Sequence, residues 1–336
     1  MLLETFQLTI EKFKMLQKGD RVVIAVSGGP DSVALVYLFK KIEKKWHLSL
    51  HLAHLNHSLR DQESDTDSLF VKNLAERLKL PYSIETRKVK EYAKKCGLSL
   101  EEAARILRYD FLLKVAQRNS ANKIALGHNK DDQAETVLMR FLRGSGISGL
   151  RAIPAVRSQD RYKLIRPLIE STRKEINAYL KAKKISFRVD SSNLNDVFYR
   201  NRIRNTLIPL LEKDYNPNIK EILVNFAENI TDDCDFLEKT GQNKFKTVRA
   251  NTSAAKVALK VKEFSSLHKA LQKLVTRLAI KELKGNTRKI EYRHWKELEG
   301  LAFKRPKESI VDLPGEISVR KSEGKLVFYK RSVKSS

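Results

Sequence analysis

A six-residue run, Ser27-Gly28-Gly29-Pro30-Asp31-Ser32, constrains the fold of this chain more than any other feature. It follows the β-branched stretch 21–26 and precedes an apolar segment with helical spacing, 32–39, an order that predicts a strand, a tight turn and a helix. Such a turn aims backbone N–H groups and a helix N-terminus at one point, where an anion can bind. An ordinary Gly-Ser turn is the alternative, and the strand and helix on either side argue against it.

The run matches neither of two common nucleotide motifs. No Gly-Lys-Ser/Thr follows it, as in a Walker loop, and it lacks the Gly-x-Gly-x-x-Gly of dinucleotide-binding proteins. Its SGG-x-DS pattern resembles the pyrophosphate loop (PP-loop) of N-type ATP pyrophosphatases, which cleave ATP between the α and β phosphates and form an adenylated intermediate. The resemblance implies that the nucleotide is bound by Ser27, Gly28, Gly29, Pro30, Asp31 and Ser32, together with Ala53 and His54 at the end of the next strand.

Strands and helices alternate along the first two hundred residues. After the strand at 21–26 we expect strands at 48–55, 82–85 and 123–126, with helices at 64–78, 99–115 and 131–142 between or after them. Strands separated by helices pair in parallel, so the sequence predicts an α/β fold with a doubly wound sheet. Ligands of such sheets bind at the carboxyl ends of the strands, where the strand order reverses. Three polar clusters, 27–32, 54–60 and 127–135, fall at those ends.

Two of these clusters contain candidate catalytic groups. His54, His57 and Arg60 could face a phosphate or a base, although they also suit an ordinary polar loop. Asp132 and Glu135 are three residues apart and share one helix face, near the helix N-terminus, with Asp131 beside them. Carboxylates are favoured there by the helix dipole in any case, so a well-charged first turn is the alternative. The neighbouring glycine loop favours the functional interpretation.

Composition limits the class of protein. The chain has 336 residues and 41% hydrophobic content, which suits two domains, for which we expect the ranges 1–215 and 216–336. No apolar run approaches the roughly 20 residues of a membrane span, and the N-terminus has no signal-peptide pattern, so we expect a cytoplasmic protein without membrane contact. The two cysteines, Cys96 and Cys234, lie far apart. That spacing argues against a disulfide framework, a zinc ribbon and a cysteine-held iron–sulfur cluster.

Positive charge is concentrated at the C-terminal end. The net charge is +26, and residues 239–336 contain 25 Lys or Arg against 9 Asp or Glu, a net +16. A field of this sign suits a nucleic acid. Lysine-rich surfaces also occur as solvated ion-pair faces in thermophiles, but those are usually balanced by glutamate. We expect the region after 216 to begin helical and to turn β-rich from about residue 310, with a hairpin at 317–329.

A set of motifs makes the resemblance narrower. In order, the chain carries Asn56-His57-x-Leu59-Arg60, Ala104-Arg105-x-x-Arg108-Tyr109, Ala125-Leu-Gly-His128-x-x-Asp131-Asp132-Gln-Ala-Glu135-Thr136, Leu142-Arg-Gly-Ser-Gly-x-x-Gly149-Leu150, Asp190-x-Ser-Asn193 and Arg200-Asn-x-x-Arg204. Together they resemble the tRNA(Ile)-lysidine synthetases over nearly all of 20–210. The chain is short for that family, and the resemblance implies that the additional terminal domain of larger members is absent.

The resemblance implies a two-step ligation on tRNA(Ile) with a CAU anticodon, which changes codon reading from AUG to AUA. The C2 carbonyl oxygen of the wobble cytidine attacks the α-phosphate of ATP, and the side-chain amine of free lysine then displaces AMP. Asp31 would hold Mg²⁺, and His128, Arg60 and Arg108 would offset charge on the α-phosphate. Asp132 and Glu135 would face the ammonium groups of lysine and Arg200 its carboxylate; the general base stays open.

The C-terminal domain would then grip the tRNA body. The family resemblance extends to it weakly, through Leu313-Pro-Gly315 and the hairpin that follows. We expect its tRNA contacts to include Lys304, Arg305 and Arg320, on a monomer or homodimer. The positive charge of this domain is the reason to expect RNA there. Charge alone does not identify the bases or stems that are read.

Three alternatives remain open from the sequence. A tRNA thiolase with the same loop activates a base identically but delivers sulfur and generally needs paired cysteines, which Cys96 and Cys234 are not spaced to provide. Amidating relatives such as NAD or GMP synthetases do not explain the basic C-terminal region. A non-catalytic, ATP-sensing RNA-binding protein has no need of carboxylates that face an anionic ligand. The substrates that support AMP release would discriminate between all of them.

Overall fold

The structure is a computed structural model that describes residues 1–58, 61–188, 199–253, 255–287 and 289–331, with the side chains of 61–64 left out. Arg60 and the predicted motif residues 190–193 therefore lie outside the described residues. The chain divides into two compact units, Met1–Asn229 (the first unit) and Ile230–Ser336 (the second unit). The division falls inside a long helix, later than the boundary at residue 216 that the sequence suggests.

The first unit is built on a six-stranded sheet. Its strands are β1 (Arg21–Ala25), β2 (Ser49–Asn56), β3 (Tyr82–Thr86), β4 (Lys123–Ala125), β5 (Val156–Gln159) and β6 (Tyr162–Ile165). The order is β3-β2-β1-β4-β6-β5, and every pair is parallel except β5–β6. The strand order reverses between β1 and β4, which confirms the predicted doubly wound sheet and fixes its switch point. The antiparallel edge strand β5 is an addition that the sequence analysis did not predict.

Helices cover both faces of this sheet. The helices of the first unit are α1 (Leu2–Lys12), α2 (Pro30–Trp46), α3 (Asp61–Leu78), α4 (Val89–Cys96), α5 (Leu100–Arg118), α6 (Lys130–Leu142), α7 (Arg173–Ala182), α8 (Tyr199–Arg202) and α9 (Ile208–Asp214). Of these, α1, α2, α3 and α7 pack on one face of the sheet and α4 and α5 on the other. A 3-10 turn at Ile147–Gly149 follows α6, and a π-helical turn at Ile203–Leu207 joins α8 to α9. The predicted helices at 64–78, 99–115 and 131–142 are confirmed within a few residues. The Ser99 side chain starts α5 by accepting a hydrogen bond from the backbone of Glu102 at 3.2 Å.

Alternation along β1 explains the two layers of core. Val22 and Ile24 point to one face, where they pack with the buried residues of α1, α2 and α7. Val23 points to the other face and packs with those of α4 and α5. A strand buried on both faces reads as a continuous apolar run, which is why the stretch at 21–26 shows no polar alternation. The site at the carboxyl end of β1 is therefore held from both sides of the sheet.

The second unit contains a five-stranded antiparallel sheet of order β7-β8-β11-β10-β9. Its strands are β7 (Arg249–Ala250), β8 (Lys256–Lys260), β9 (Ile310–Leu313), β10 (Ile317–Ser322) and β11 (Lys325–Lys330). The predicted hairpin is confirmed as β10–β11, which pair from Ile317↔Lys330 to Ser322↔Lys325. The sheet is larger than that hairpin because β7 and β8 arrive from much earlier in the chain.

The helices of the second unit pack on one face of its sheet. They are α11 (Val261–Ser265), α12 (Lys269–Lys284) and α13 (Tyr292–Phe303), and α10 (Ile219–Val248) crosses from the first unit into the second. Phe328 and Val319 of the sheet pack with Val275 of α12 and Leu298 of α13 in one buried cluster. No helix within the described ranges carries an apolar stretch long enough to span a bilayer. The predicted cytoplasmic location stays a prediction.

Candidate active site

The predicted phosphate loop closes on itself between β1 and α2. The backbone of Val26 donates to the carbonyl of Ala53 at 2.9 Å, which holds the end of β1 against β2. The Ser32 hydroxyl donates to the carbonyl of Gly29 at 2.9 Å and accepts from the backbone of Ser27 at 3.2 Å. Gly28 has φ +89°, a conformation that L side chains rarely adopt. The turn thus needs glycine at 28 and serine at 32 for its own geometry.

Gly29 leaves open space beside this turn. Its φ is −70°, which any residue can adopt, and it is the N-cap of α2. Apart from its two chain neighbours, a Cβ added there would find Ser27 Oγ at 3.6 Å and no other described heavy atom within 4 Å. The face of the loop at Gly29 can therefore receive a ligand, and a side chain at this position would fill that space without straining the backbone.

Gly127 brings the segment after β4 against the same turn. A Cβ at Gly127 would lie 3.3 Å from the backbone nitrogen of Ser32 and 3.5 Å from Cβ of Asp31. Only the absence of a side chain permits this approach, so the polar residues that follow Gly127 reach the first turn of α2. The predicted clusters 27–32 and 127–135 do meet, at the switch point of the sheet.

Asn129 joins the two clusters, and the sequence analysis gave it no role. Its side-chain amide donates to Oδ1 of Asp31 at 3.0 Å. Its carbonyl oxygen caps α6 by accepting from the backbone of Asp132 at 3.0 Å, while Oδ2 of Asp132 accepts from the backbone of Asn129 at 3.0 Å. An asparagine three residues before an aspartate, at the start of a predicted helix, is a capping signal, so the sequence did hold a clue to its position.

Asp31 is a largely buried carboxyl group in a mixed electrostatic environment. Burial raises the pKa of Asp31 to about 6. The guanidinium of Arg173, 2.7 Å from Oδ2 of Asp31, opposes that shift, and the charge of Asp132 adds to it. Mg²⁺ is commonly held by one or two carboxylates together with substrate phosphates. Asp31 beside an open phosphate loop fits that pattern as a single protein ligand. Among the residues with described placement, no group of three or more His, Cys, Asp or Glu side chains could hold a metal ion by itself.

Two carboxylates and two guanidiniums form a compact network on α6 and the α8 region. Oδ1 of Asp132 accepts from Arg200 at 2.9 Å and from Arg204 at 3.0 Å. Glu135 accepts from Nε of Arg200 at 2.7 Å and from Nε of Arg204 at 2.5 Å. Burial raises the pKa of Asp132, but Arg200, His128 and Arg204 together hold it below its usual range. Asp132 is therefore ionised, and each of the two carboxylates bonds to both arginines.

This network differs in detail from the sequence interpretation. Asp132, Glu135 and Arg200 are brought together as expected, but Arg200 bonds to the two carboxylates instead of presenting a free fork. Arg204 completes the set, and no role was assigned to it from the sequence. Asp131 points elsewhere: it accepts from the backbone of Arg173 at 2.8 Å and pairs with Lys220 at 3.2 Å. Asp131 thus positions the start of α7, and only Asp132 and Glu135 belong to the site.

Three histidines near the site are neutral at neutral pH. Burial lowers the pKa of His128 to about 3. The charge of Asp132 opposes this shift, and the charges of Arg166 and Arg108 add to it. Burial, followed by Arg108 and His54, lowers the pKa of His57 to about 4. The pKa of His54 is also lowered by burial, and its Nδ1 lies 2.8 Å from the carbonyl oxygen of Val26. His128 can therefore offset phosphate charge only as a neutral hydrogen-bond donor.

The predicted tRNA contacts of the second unit are partly neutralised. Arg305 pairs with Glu297, and Arg320 lies 3.5 Å from Glu308. Lys304 is exposed and makes no ion pair among the residues that the structure describes. A stronger feature, which was not predicted from the sequence, lies on α12. Exposed cations recur there every fourth residue and so share one side of the helix: Lys269, Lys273, Arg277 and Lys281.

An exposed aromatic residue accompanies this stripe. Tyr292, 65% exposed at the start of α13, has the ammonium of Lys273 5.3 Å from its ring centre and that of Lys296 at 5.8 Å. Nζ of Lys269 lies 3.7 Å from a carboxylate oxygen of Glu299. The other three stripe residues make no ion pair with a described side chain. Cations interleaved with an exposed ring suit phosphate and base contacts in RNA.

Comparison with known proteins agrees with this geometry. The PP-loop domain family matches residues 2–211. A tRNA(Ile)-lysidine synthase of Clostridioides difficile is 34% identical over 97% of this chain and 70% of its own length. One from Caldanaerobacter subterraneus is 36% identical over 97% of this chain and 68% of its own length.

Among solved structures, the U34-tRNA thiolase NcsA of Methanococcus maripaludis is similar in fold. Its TM-score is 0.55 at 19% identity, and the match covers 68% of this chain and 77% of the thiolase. At that identity the likeness concerns the fold alone. The predicted PP-loop fold is therefore confirmed, and the curated relatives favour lysidine synthesis over thiolation.

Proposed function

This chain belongs to the tRNA(Ile)-lysidine synthase family of PP-loop proteins, and from that membership we propose that it is an ATP-dependent ligase that joins free lysine to a cytidine of tRNA(Ile). The observation that carries the proposal is the contact between the phosphate loop and the carboxylate network. Gly127 and Asn129 place both at the one switch point of the sheet. Nucleotide activation and amine capture can therefore occur side by side.

The first step activates the base. The C2 carbonyl oxygen of the cytidine forms a bond to the α-phosphorus of ATP, the bond from that phosphorus to the bridging oxygen breaks, and pyrophosphate leaves. The open face at Gly29 supports binding of the leaving pyrophosphate by the loop at 27–32. Mg²⁺, bound with Asp31, would neutralise charge on the phosphates. Arg108 and the neutral N–H of His128 would stabilise the charge that builds on the α-phosphate.

The second step delivers lysine. Its side-chain amine bonds to C2, the C2–oxygen bond breaks, AMP leaves with that oxygen, and the amine gives up a proton. Asp132 and Glu135 are the carboxylates that can face an ammonium group of lysine. Because Arg200 and Arg204 occupy them, lysine must replace at least one guanidinium, and the released Arg200 would be free to pair with the lysine carboxylate. One of these two carboxylates would take that proton as the general base.

The second unit would bind the tRNA body. Residues 239–336 carry a net charge of +16, and the α12 stripe and Lys304 present part of it to solvent. Phosphate contacts of this kind position an RNA without reading its sequence. We also propose that the tRNA carries a CAU anticodon and that the protein acts as a monomer or a homodimer.

One assay tests the function. The purified chain is incubated with ATP, radiolabelled lysine and bulk bacterial tRNA, and acid-precipitable label is counted. Label that requires both ATP and tRNA supports the proposal. A chain that releases AMP only with a sulfur donor and tRNA would be a thiolase, and one that binds ATP and tRNA without releasing AMP would be a non-catalytic sensor. Gly29→Val, which should lose ATP use without unfolding, serves as the matched inactive control.

A further inference from the structure

Four arginines gather beside the active site, with no carboxylate among them in the described parts of the chain: Arg105, Arg108, Arg140 and Arg166, here called the arginine cluster. The guanidinium carbons of Arg105 and Arg108 lie 5.3 and 5.9 Å from the ring centre of Tyr109. Arg166, just after β6, interacts electrostatically with the same tyrosine and with His128. Helices α5 and α6 and the end of β6 therefore direct positive charge to one place.

No member of the arginine cluster is neutralised within the part of the chain that the structure describes. Arg140 and Arg166 each donate one hydrogen bond of 2.6 Å to a backbone carbonyl, of Arg151 and Pro154. Within the described ranges, the Nε atoms of Arg108 and Arg166 are buried and have no acceptor, and Arg166 as a whole is only 2% exposed. The nearby carboxylate of Asp132 already accepts two other guanidiniums.

Buried like charges without partners are costly and rare. Burial lowers the pKa of Arg108, of Arg140 and of Arg166, and the charge of Arg105 adds to each shift, so the cations repel one another. An arrangement of this kind is stabilised when an anion enters it. A guanidinium group that stacks on an aromatic ring keeps its N–H donors available to an anion. Its planar set of donors also matches the oxygens of a phosphate.

We propose that the arginine cluster binds a backbone phosphate of the RNA next to the nucleotide that is modified. The inference rests on the proposed function, because it takes the RNA as the substrate. The loop at 27–32 and Arg108 account for the triphosphate of ATP, so the other three cations, Arg105, Arg140 and Arg166, are left for a second phosphorylated substrate. Arg108 lies within electrostatic reach of His57 and Asp132 at the site, whereas Arg105 is exposed. The cluster thus extends from the chemistry to the surface, as an unpaired nucleotide entering the site requires.

The test uses two accessible members and a chemically altered RNA. Arg105→Gln and Arg140→Gln are compared with wild type for binding of an anticodon stem–loop hairpin. The hairpin carries either natural phosphates or one neutral methylphosphonate linkage, placed in turn at each loop position. Arg118→Gln, an exposed arginine in the last turn of α5, is the matched control. Binding of a fluorescent ATP analogue is measured for every variant.

Each cluster variant should weaken hairpin binding about tenfold or more and reduce the salt slope by about 0.7 to 1. A neutral linkage at one phosphate beside the target cytidine should weaken wild type similarly and the variants no further, because both changes remove the same contact. ATP binding should be unchanged, and Arg118→Gln should bind like wild type.

Other results overturn the inference. Cluster variants that bind the hairpin normally would show that the arginines are structural. If the variants bind every methylphosphonate hairpin more weakly than wild type does, the arginines do not contact a backbone phosphate. A loss of ATP-analogue binding would assign them to the nucleotide. Binding through the cluster by a chain that incorporates no lysine would support the inference and overturn the proposed reaction, so the two failures are distinguishable.

Discussion

The side-chain amide of Asn129 donates a hydrogen bond of 3.0 Å to the carboxylate of Asp31. Asn129 is the N-cap of α6, and Asp31 lies in the first turn of α2. The bond therefore ties together the two helices that begin at the switch point of the sheet. The same side chain caps α6 through the backbone of Asp132, so one residue has a structural task and a positioning task.

Substitution at Asn129 should separate these tasks. Serine is about as good an N-cap as asparagine, but its side chain is too short to reach Asp31. Asn129→Ala should therefore be about 1 kcal/mol less stable than Asn129→Ser in urea unfolding, while both should slow tRNA-dependent AMP release. Wild-type AMP release by Asn129→Ser would show that the orientation of Asp31 does not depend on this bond.

Valine at Gly29 should abolish ATP use without unfolding the chain. The backbone there has φ −70°, and the nearest atom to an added Cβ is 3.6 Å away, so the side chain would only fill the open face of the loop. Thermal unfolding and binding of an ATP analogue measure the two effects. Gly127→Val is the contrast, because its Cβ would press on the backbone of Ser32 at 3.3 Å and should lower stability as well. Normal AMP release by Gly29→Val would contradict the phosphate-loop assignment.

Glu135→Gln and Asp132→Asn should separate the two half-reactions. They remove negative charge that faces an ammonium group and leave the phosphate loop intact. Loss of a charge-assisted hydrogen bond costs about 1.5–3 kcal/mol, or roughly ten- to hundredfold in the lysine requirement. Pyrophosphate release without lysine should persist, with Glu101→Gln on the surface of α5 as the control.

The stability of these variants should also fall. Glu135 is 2% exposed and bonds to two guanidiniums, so its neutralisation leaves buried positive charge uncompensated. Assays are therefore compared at a temperature where urea unfolding shows each variant to be folded. If both half-reactions then fail equally, the carboxylates act at the metal or in structure, and not on lysine.

His128 should make the chain lose stability in mild acid. Its pKa is lowered to about 3, mainly by burial, against about 6.5 in an unfolded chain. Between those values only the unfolded state binds the proton, so stability is fully present above pH 6.5 and falls as the pH decreases towards 3. His128→Gln should reduce the slope of unfolding free energy by about 1.4 kcal/mol per pH unit between pH 6 and 4. An unchanged slope would show that His128 takes up its proton in the folded state.

The alternation of apolar runs was enough to predict the sheet and the place of the site. Gly127 and the loop at 27–32 meet because both follow strands of one parallel sheet, a rule that needs no coordinates. The pairing of Arg200 with Glu135 spans 65 residues, and sequence spacing carries no information on it. The edge strand β5 was missed because it is short, with its middle residues Arg157 and Ser158 exposed, and so has no apolar pattern. The arginine cluster likewise appears only when α5, α6 and β6 are packed.

Charge reversal on the second unit should weaken tRNA binding more at a cation without an ion pair than at a cation that is already paired with a carboxylate. Arg277 and Lys281 on α12 are exposed and make no ion pair among the described residues, whereas Arg305 pairs with Glu297. Arg277→Glu and Lys281→Glu should each weaken binding, and each should flatten the salt dependence by about one unit. Lys304→Glu should behave similarly and Arg305→Glu should have a smaller effect, because that side chain is already neutralised.

Filter binding of tRNA at several salt concentrations measures this, with an ATP analogue as the second ligand. Lys41→Glu, an exposed reversal on α2 of the first unit, controls for the change in net charge. ATP binding should stay at the wild-type level in every variant, since the phosphate loop belongs to the first unit. If Arg277→Glu and Lys281→Glu bind tRNA as tightly as wild type at every salt concentration, the basic second unit is a solvated surface. The RNA would then be held by the first unit alone, and the arginine cluster would have to supply a larger share of the phosphate contacts.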